Sequence, residues 1–129
     1  MIKKVLVIDD NEQDRKIAER YLKKSGYSEI VMAINGQEGL SKVNSENPGL
    51  VILDTMLPDI VGFEVCQKIK ESKGPQAPLI IMMTGAVDAV DAVRARQSGA
   101  DDYCVKTADG GPLLAALKNI SEKDIGPQT

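Results

Sequence analysis

Short, largely apolar runs alternate with longer amphipathic segments along this chain. Five such runs, each bounded by turn residues, cover residues 5–8, 30–33, 51–53, 79–83 and 102–105. A continuous apolar run of this length is typical of a strand that is buried on both faces of a sheet. The pattern therefore predicts five buried strands, and the central one ends directly in Asp54.

The segments between these runs carry apolar residues at helical spacing. Asn11 is expected to cap the first helix, which has Glu12 and Asp14 in its first turn and ends at Gly26. The remaining helices are predicted at residues 35–47, 62–70, 88–97 and 112–120.

Strand and helix thus alternate five times, which predicts an α/β fold with a doubly wound parallel sheet. The commonest five-stranded solution has the strand order 2-1-3-4-5, as in flavodoxin-like folds. Helices would cover both faces, the fourth packing through Ala89, Val90 and Val93. We expect one domain over residues 1–120, followed at 121–129 by a polar C-terminal tail or the start of a linker.

Composition and charge exclude several kinds of partner. The 129 residues are 43% apolar and 27% charged with a formal net charge of −3, so nothing favours nucleic acid or an anionic membrane surface. No apolar run approaches the roughly 18 residues of a membrane span, and the first residues carry no secretory pattern. Cys66 and Cys104 lie in apolar segments and are expected to be buried thiols. We therefore expect a cytoplasmic domain.

Charged and hydroxyl side chains gather where the predicted strands end. Asp9 and Asp10 follow the first strand, and Asp54 ends the third. Thr84 ends the fourth strand and Lys106 the fifth. Carboxyl ends of parallel strands share one edge, and the first and third strands are neighbours at the topological switch point. The sequence therefore predicts three acids in one site, flanked by a hydroxyl and an ammonium.

Three neighbouring carboxylates need compensation. Two unit charges about 4 Å apart repel by roughly 4 kcal/mol at an effective dielectric constant near 20, and one lysine offsets only part of this. Either a pKa rises or a cation binds. Oxygen ligands suit Mg2+, whereas no histidine or paired cysteine is present to suggest zinc. We therefore predict a Mg2+ site, with Mn2+ or Ca2+ as substitutes.

Phosphoryl transfer onto a carboxylate is the chemistry that fits these groups. Aspartate is a competent nucleophile toward phosphorus, and catalysis then consists of positioning and charge stabilisation. Lys106 and the Thr84 hydroxyl would hold phosphoryl oxygens, and Gly85 would leave room for the donor. Because the chain has no histidine, the phosphoryl group has to come from outside.

Each of these residues also has a purely structural interpretation. Asp9 and Asp10 could cap the first helix, and Asp54 could be a turn residue. Thr84 could be a strand-end hydroxyl and Lys106 a solvated charge. Their joint occurrence at the strand ends of one edge favours a functional site.

Through these motifs the chain resembles the receiver domains of two-component response regulators, of the chemotaxis-regulator type, over about residues 3–120. The matching stretches are residues 5–11, 54–59 with Gly62, 84–85, and 99–106. Their order and spacing together make the resemblance specific. It implies a phosphoacceptor signalling module, not a dedicated enzyme, that assists its own phosphotransfer and slow dephosphorylation.

The resemblance implies a role for each acid. Asp54 would accept the phosphoryl group from a sensor histidine kinase or a phosphotransfer protein. Asp10, Asp54 and the backbone carbonyl of Met56 would ligate Mg2+, with Asp9 assisting through water.

The resemblance also implies a switch. Lys106 would pair with the phosphoryl group, Thr84 would move toward it, and Tyr103 would follow inward, changing the surface of the fourth helix and fifth strand. Tyr103 could instead be only a half-buried strand aromatic. A monomer or a weak, phosphorylation-dependent dimer is expected, with an unknown downstream target.

Three positions after Lys106 depart from the family pattern. Thr107 stands where a proline in a cis peptide is usual, Ala108 where an aromatic is common, and residues 109–111 are Asp-Gly-Gly. A cis bond without proline costs about 2.5 to 4 kcal/mol. The alternatives are therefore a trans peptide between Lys106 and Thr107 or an altered path of the loop. We also expect a mobile connection before the fifth helix.

Several other functions would also use such a fold. The module could belong to a larger regulator whose DNA-binding or enzymatic output domain lies outside this sequence. A flavodoxin-like electron carrier is disfavoured by the acidic loop at 9–12, and a phosphohydrolase by Met56, where a second acid is needed. A degenerate receiver is disfavoured because every expected site position is filled.

Overall fold

The fold was taken from a computed structural model that describes residues 2–85 and 89–125, with side chains described for all of these except 89–90 and 122–125. The strands are β1 (Lys4–Ile8), β2 (Glu29–Ala33), β3 (Leu50–Asp54), β4 (Leu79–Thr84) and β5 (Asp102–Val105). The helices are α1 (Glu12–Lys24), α2 (Gly36–Glu46), α3 (Gly62–Lys73), α4 (Ala89–Gln97) and α5 (Gly111–Ile125), and a 3-10 turn covers Gly74–Gln76.

The strands form one parallel sheet in the order β2-β1-β3-β4-β5. β3 lies at the centre, and all five of its residues are buried. Helical crossovers cover both faces of such a sheet, which is why the strands are nearly continuous apolar runs. The predicted fold class and strand order are confirmed.

The helices pack on the sheet in two layers. α1 and α5 lie on one face, where Leu22 and Leu117 are fully or almost fully buried in a shared apolar cluster. α2, α3 and α4 lie on the other face and bury Val43, Cys66 and Ala95. Burying one aliphatic side chain of Val or Leu size contributes about 1.5 to 3 kcal/mol. The two layers therefore hold the strand ends in fixed positions.

The prediction that Val93 faces the core is wrong. Val93 is 43% exposed, whereas Ala95 is fully buried. α4 is rich in alanine and valine around its whole circumference, so its sequence gives little contrast between faces. Close packing against the sheet favours the smaller side chain. The side chains of Ala89 and Val90 lie outside the described part of the chain.

Some helix boundaries also differ from the prediction. α5 begins at Gly111 and continues to Ile125, so residues 121–125 of the expected tail are helical, while 126–129 lie outside the described residues. α3 extends to Lys73, three residues beyond the predicted end. Among the helices that the structure describes, none has the length and hydrophobicity that a membrane crossing requires.

Candidate functional site

The predicted acids lie together at the carboxyl edge of the sheet. β1 and β3 are neighbours with Ile8 opposite Leu53, so the next residues, Asp9 and Asp54, lie side by side. Asp9 is 6% exposed and Asp54 is 7% exposed, while Asp10 is open to solvent. One carboxylate oxygen from each of the three acids lies within 4.8 Å of the other two.

Lys106 joins these acids from the end of β5. Its Nζ atom lies 2.7 Å from Oδ2 of Asp9 and 3.3 Å from Oδ2 of Asp54. Its backbone N–H donates to the carbonyl of Thr84 over 2.7 Å, which ties the end of β5 to that of β4. The ammonium is therefore held among the carboxylates and is not a solvated surface charge.

A fourth acid, Asp14, also reaches Lys106. Its Oδ2 atom lies 2.8 Å from Nζ, across 92 positions of sequence. Asn11 caps α1, as predicted, by accepting a hydrogen bond from the backbone N–H of Asp14 over 2.9 Å. From the sequence, Asp14 is expected only in the first helical turn, because no pattern in the chain marks its contact with Lys106.

The crowded charges set the protonation of the site. The pKa of Asp54 is raised from 3.8 to about 6, chiefly by burial and then by the Asp9 carboxylate, while the Lys106 ammonium acts in the opposite direction. For Lys106, burial alone would lower the pKa, but hydrogen bonds to Asp14 and Asp9 outweigh it, and the pKa lies above its ordinary value. Lys106 therefore stays charged, and the acids together exceed what it can neutralise.

The loop after β3 fixes the position of the Asp54 side chain. The backbone N–H of Met56 donates to Oδ1 of Asp54 over 3.2 Å, and that of Gly62 donates to the carbonyl of Thr55 over 3.0 Å. A Cβ atom on Gly62 would lie 2.7 Å from Cα of Thr55 and would collide with the carbonyl of Asp54. Only glycine therefore lets α3 begin this close to Asp54.

Asp59 connects the loop after Asp54 to α2, a role that was not predicted from the sequence. Its carboxylate accepts hydrogen bonds from the backbone N–H groups of Gly36 and Gln37 over 2.7 and 2.9 Å, which cap the start of α2. The hydrogen bond from Gln37, helped by that from Gly36, lowers the pKa of Asp59. The loop that follows Asp54 is thus fastened to a neighbouring helix.

The remaining predicted residues lie at or near the carboxyl edge of the sheet. Thr84 is buried at the end of β4, and the Met56 side chain is 75% exposed. A Cβ atom on Gly85 would meet nothing within 4 Å, so a side chain at position 85 has room. Tyr103 packs against the cluster beneath α2, α3 and α4, and its buried hydroxyl has no hydrogen-bond partner among the described residues. The roles of Thr84, Tyr103 and the Met56 carbonyl stay predictions.

The loop after Lys106 takes a trans path, since the described residues include no cis peptide. Asp109 accepts hydrogen bonds from the Thr107 hydroxyl over 2.8 Å and from the Gly111 N–H over 3.1 Å, and so caps α5. Lys106, Thr107 and Ala108 line a cavity of about 230 Å³ beside the acids. The mobility of this connection stays a prediction, which amide hydrogen exchange would test.

Comparison with known proteins shows which family the chain matches. A family model described as the response regulator receiver domain matches residues 5–118. The alkaline phosphatase synthesis transcriptional regulatory protein PhoP of Bacillus subtilis is 38% identical over 120 residues, which cover 93% of this chain and 49% of PhoP. The chain spans about half the length of the curated relatives it matches.

Solved structures agree with the fold. The BeF3-activated receiver domain of DrrB, a protein of Thermotoga maritima, is 31% identical with a TM-score of 0.79, over 94% of this chain and 98% of that one. A CheY-like receiver domain protein from Methanospirillum hungatei is 28% identical with a TM-score of 0.82, over 98% of this chain and all of that one.

Proposed function

The chain belongs to the response regulator receiver domain family, and we propose that Asp54 accepts a phosphoryl group from a histidine kinase or a phosphotransfer protein. Receiver domains are signalling modules and not dedicated enzymes. The observation that carries the proposal is the convergence of Asp9, Asp10, Asp54 and Lys106 at one edge of the sheet.

Asp54 is held in a position suited to attack on phosphorus. One oxygen is fixed by the Met56 N–H and the other faces the Lys106 ammonium. As the bond from this carboxylate to phosphorus forms, the bond from phosphorus to the donor nitrogen breaks, and the leaving imidazole keeps the electron pair. Lys106 offsets charge on the transferred oxygens, so the protein contributes position and electrostatics. Slow hydrolysis of the aspartyl phosphate would use the same groups.

The acids also fit a divalent cation. Three carboxylate oxygens within 4.8 Å of one another, with Asp54 at a pKa raised to about 6 chiefly by burial, form an oxygen-only site with excess negative charge, as Mg2+ prefers. We assign Asp10, Asp54 and the Met56 carbonyl as ligands, with Asp9 acting through water. When bound, Mg2+ neutralises charge on the phosphoryl oxygens. Mn2+ and Ca2+ use the same donors.

Thr84 and Tyr103 form the proposed output path. Thr84 is buried at the end of β4 and follows Met83, which is paired with Asp54 in the sheet, so its hydroxyl would move toward a phosphoryl group at this edge. Tyr103, on the adjacent strand, has a buried hydroxyl without a partner in the described part of the chain, so its ring already lies in the inward position that the proposed switch uses. A phosphoryl group would thus bias the surface of α4 and β5 between two states.

The downstream output belongs to the proposal as well. PhoP is named as a transcriptional regulator and is about twice as long as the matched region, which supports a receiver module that acts within a larger regulator with a separate output domain. A stand-alone, cytoplasmic receiver that acts on a partner protein is the alternative. In both cases the module itself contacts neither DNA nor a membrane.

Intact-mass spectrometry tests the proposal. With a small phosphodonor and Mg2+, the protein should gain one phosphoryl group, and it should gain none in EDTA. Asp54→Asn should abolish the gain, whereas Glu12→Gln, which removes a charge from a 72% exposed side chain that pairs with Lys16, should label like the wild type. Unchanged labelling of Asp54→Asn would refute the assignment.

A further inference from the structure

Asp14 shares Lys106 with the proposed acceptor. Its carboxylate lies 2.8 Å from the ammonium, closer than the 3.3 Å of Asp54. The Lys106 side chain is 18% exposed and that of Asp14 is 32% exposed, so this pair is partly shielded from water. Ion pairs of this kind are stronger than the fully exposed ones, whose contribution is small.

We propose that Asp14 is a positioning residue that competes with the phosphoryl group for Lys106 and thereby weakens the phosphorylated state. This inference rests on the phosphoacceptor function proposed above. An ammonium has three hydrogens, and Asp9, Asp14 and Asp54 surround it. A phosphoryl group on Asp54 would take over the longest of these contacts, but to form a short bond it has to draw the ammonium away from Asp9 and Asp14, which hold it at 2.7 and 2.8 Å.

Asp14 is the partner that lies outside the cation site. Among the described residues, the acids close enough to hold one cation together are Asp9, Asp10 and Asp54. The carboxylate of Asp14 is instead paired with Lys106, and its backbone is fixed by the Asn11 cap. Its charge therefore bears on the phosphoryl group through Lys106 and through direct repulsion, and both effects act against the bound phosphoryl group.

A purely structural role for Asp14 predicts a different outcome. If the pair served only to fasten α1 to the end of β5, its loss would loosen the site and weaken the binding of cations and phosphoryl analogues alike. Competition predicts opposite changes. Without Asp14, Lys106 would turn fully to Asp9 and Asp54 and weaken Mg2+ binding, yet it would be more available to a phosphoryl analogue on Asp54.

The test compares Asp14→Asn with Glu12→Gln. Glu12 lies in the same helical turn, is 72% exposed and pairs with Lys16 at 3.4 Å, so its variant removes an equal charge without touching Lys106. Fluorine NMR gives the affinity for BeF3 at saturating Mg2+, and calorimetry gives the affinity for Mg2+ alone. Asp14→Asn should tighten BeF3 binding about three- to tenfold and weaken Mg2+ binding about two- to fivefold, as expected for one charged contact. Glu12→Gln should change each by less than about twofold.

The results separate the two proposals. If the wild type binds BeF3 but Asp14→Asn binds it equally or more weakly, or if Glu12→Gln matches the gain, the role of Asp14 is overturned and the phosphoacceptor function stands. If the wild type with Mg2+ binds no BeF3, the phosphoacceptor function is overturned, and the role of Asp14 falls with it.

Discussion

Lys106 and Asp9 face each other across the edge of the sheet, with 2.7 Å between Nζ and Oδ2. The same ammonium lies 3.3 Å from Asp54. One side chain thus contacts two of the acids that we assign to Mg2+. The lysine and a divalent cation therefore compete for the same oxygens, although both reduce the same excess of negative charge.

Lys106→Met should have opposite effects on folding and on metal binding. In EDTA, the variant leaves the buried carboxylates of Asp9 and Asp54 without the Lys106 ammonium, so the free energy of unfolding should fall by about 1 to 3 kcal/mol. Mg2+ no longer competes with the ammonium, so its affinity should rise about three- to tenfold. Urea unfolding and calorimetric titration give the two quantities. Weaker Mg2+ binding in this variant would contradict the competition.

Asp54→Asn should stabilise the metal-free protein at neutral pH. Burial and the Asp9 carboxylate raise the folded-state pKa of Asp54 from 3.8 to about 6, so the folded state binds this proton more tightly than the unfolded state. The resulting stability is present below pH 4 and is lost as the pH rises through about 6. At about 1.4 kcal/mol per unit, the variant should gain about 1 to 3 kcal/mol at pH 7.

The control for this effect is the same comparison at pH 4, where the gain should be small, with unfolding measured in EDTA at both pH values. An Asp54→Asn variant that is less stable than the wild type at pH 7 would show that its neighbours fully compensate the Asp54 carboxylate, which contradicts the excess of negative charge inferred for the site.

Removal of Mg2+ should lower thermal stability. A ligand at about one hundred times its dissociation constant stabilises the folded state by roughly 2.7 kcal/mol, so the melting temperature should rise with Mg2+ and return in EDTA. Asp10→Asn and Asp54→Asn should lose most of this rise, while Glu12→Gln, which changes an exposed acid paired with Lys16, should keep it. An equal rise in all variants would place the ion elsewhere.

Gly62→Ala should destabilise the loop that follows Asp54. The added methyl group would meet backbone atoms of Asp54 and Thr55, which cannot rotate away as a side chain can, so we expect a loss of about 2 kcal/mol or more in urea unfolding. Gly85→Ala is the matched control, because a Cβ atom there meets nothing within 4 Å. Equal stability of the two variants would mean that α3 can shift.

Residues at strand ends were the most predictable part of the site. The alternation of strands and helices predicts the strand order, and the register then sets Asp9 beside Asp54. Lys106 follows from the same reasoning, because β5 ends at the same edge. These positions depend only on the backbone path, which hydrophobic periodicity encodes.

Contacts that depend on the rotation of a helix or the reach of a side chain were not predictable. The bond between Asp14 and Lys106 requires α1 to present one particular residue to the end of a strand 92 positions away. Val93 was misplaced because α4 has apolar residues on several sides. The last turns of α5 continue through polar residues, where no apolar periodicity marks the helix.

A crystal structure of the protein grown with Mg2+ and BeF3 would show whether Asp54 is the phosphoacceptor beside a bound cation. We predict Mg2+ between Asp9, Asp10, Asp54 and the Met56 carbonyl, and BeF3 on Asp54 within hydrogen-bond distance of Lys106 and Thr84. If Mg2+ and BeF3 are both absent from this edge of the sheet, or if BeF3 is bound to another residue, the proposed phosphoacceptor site is wrong.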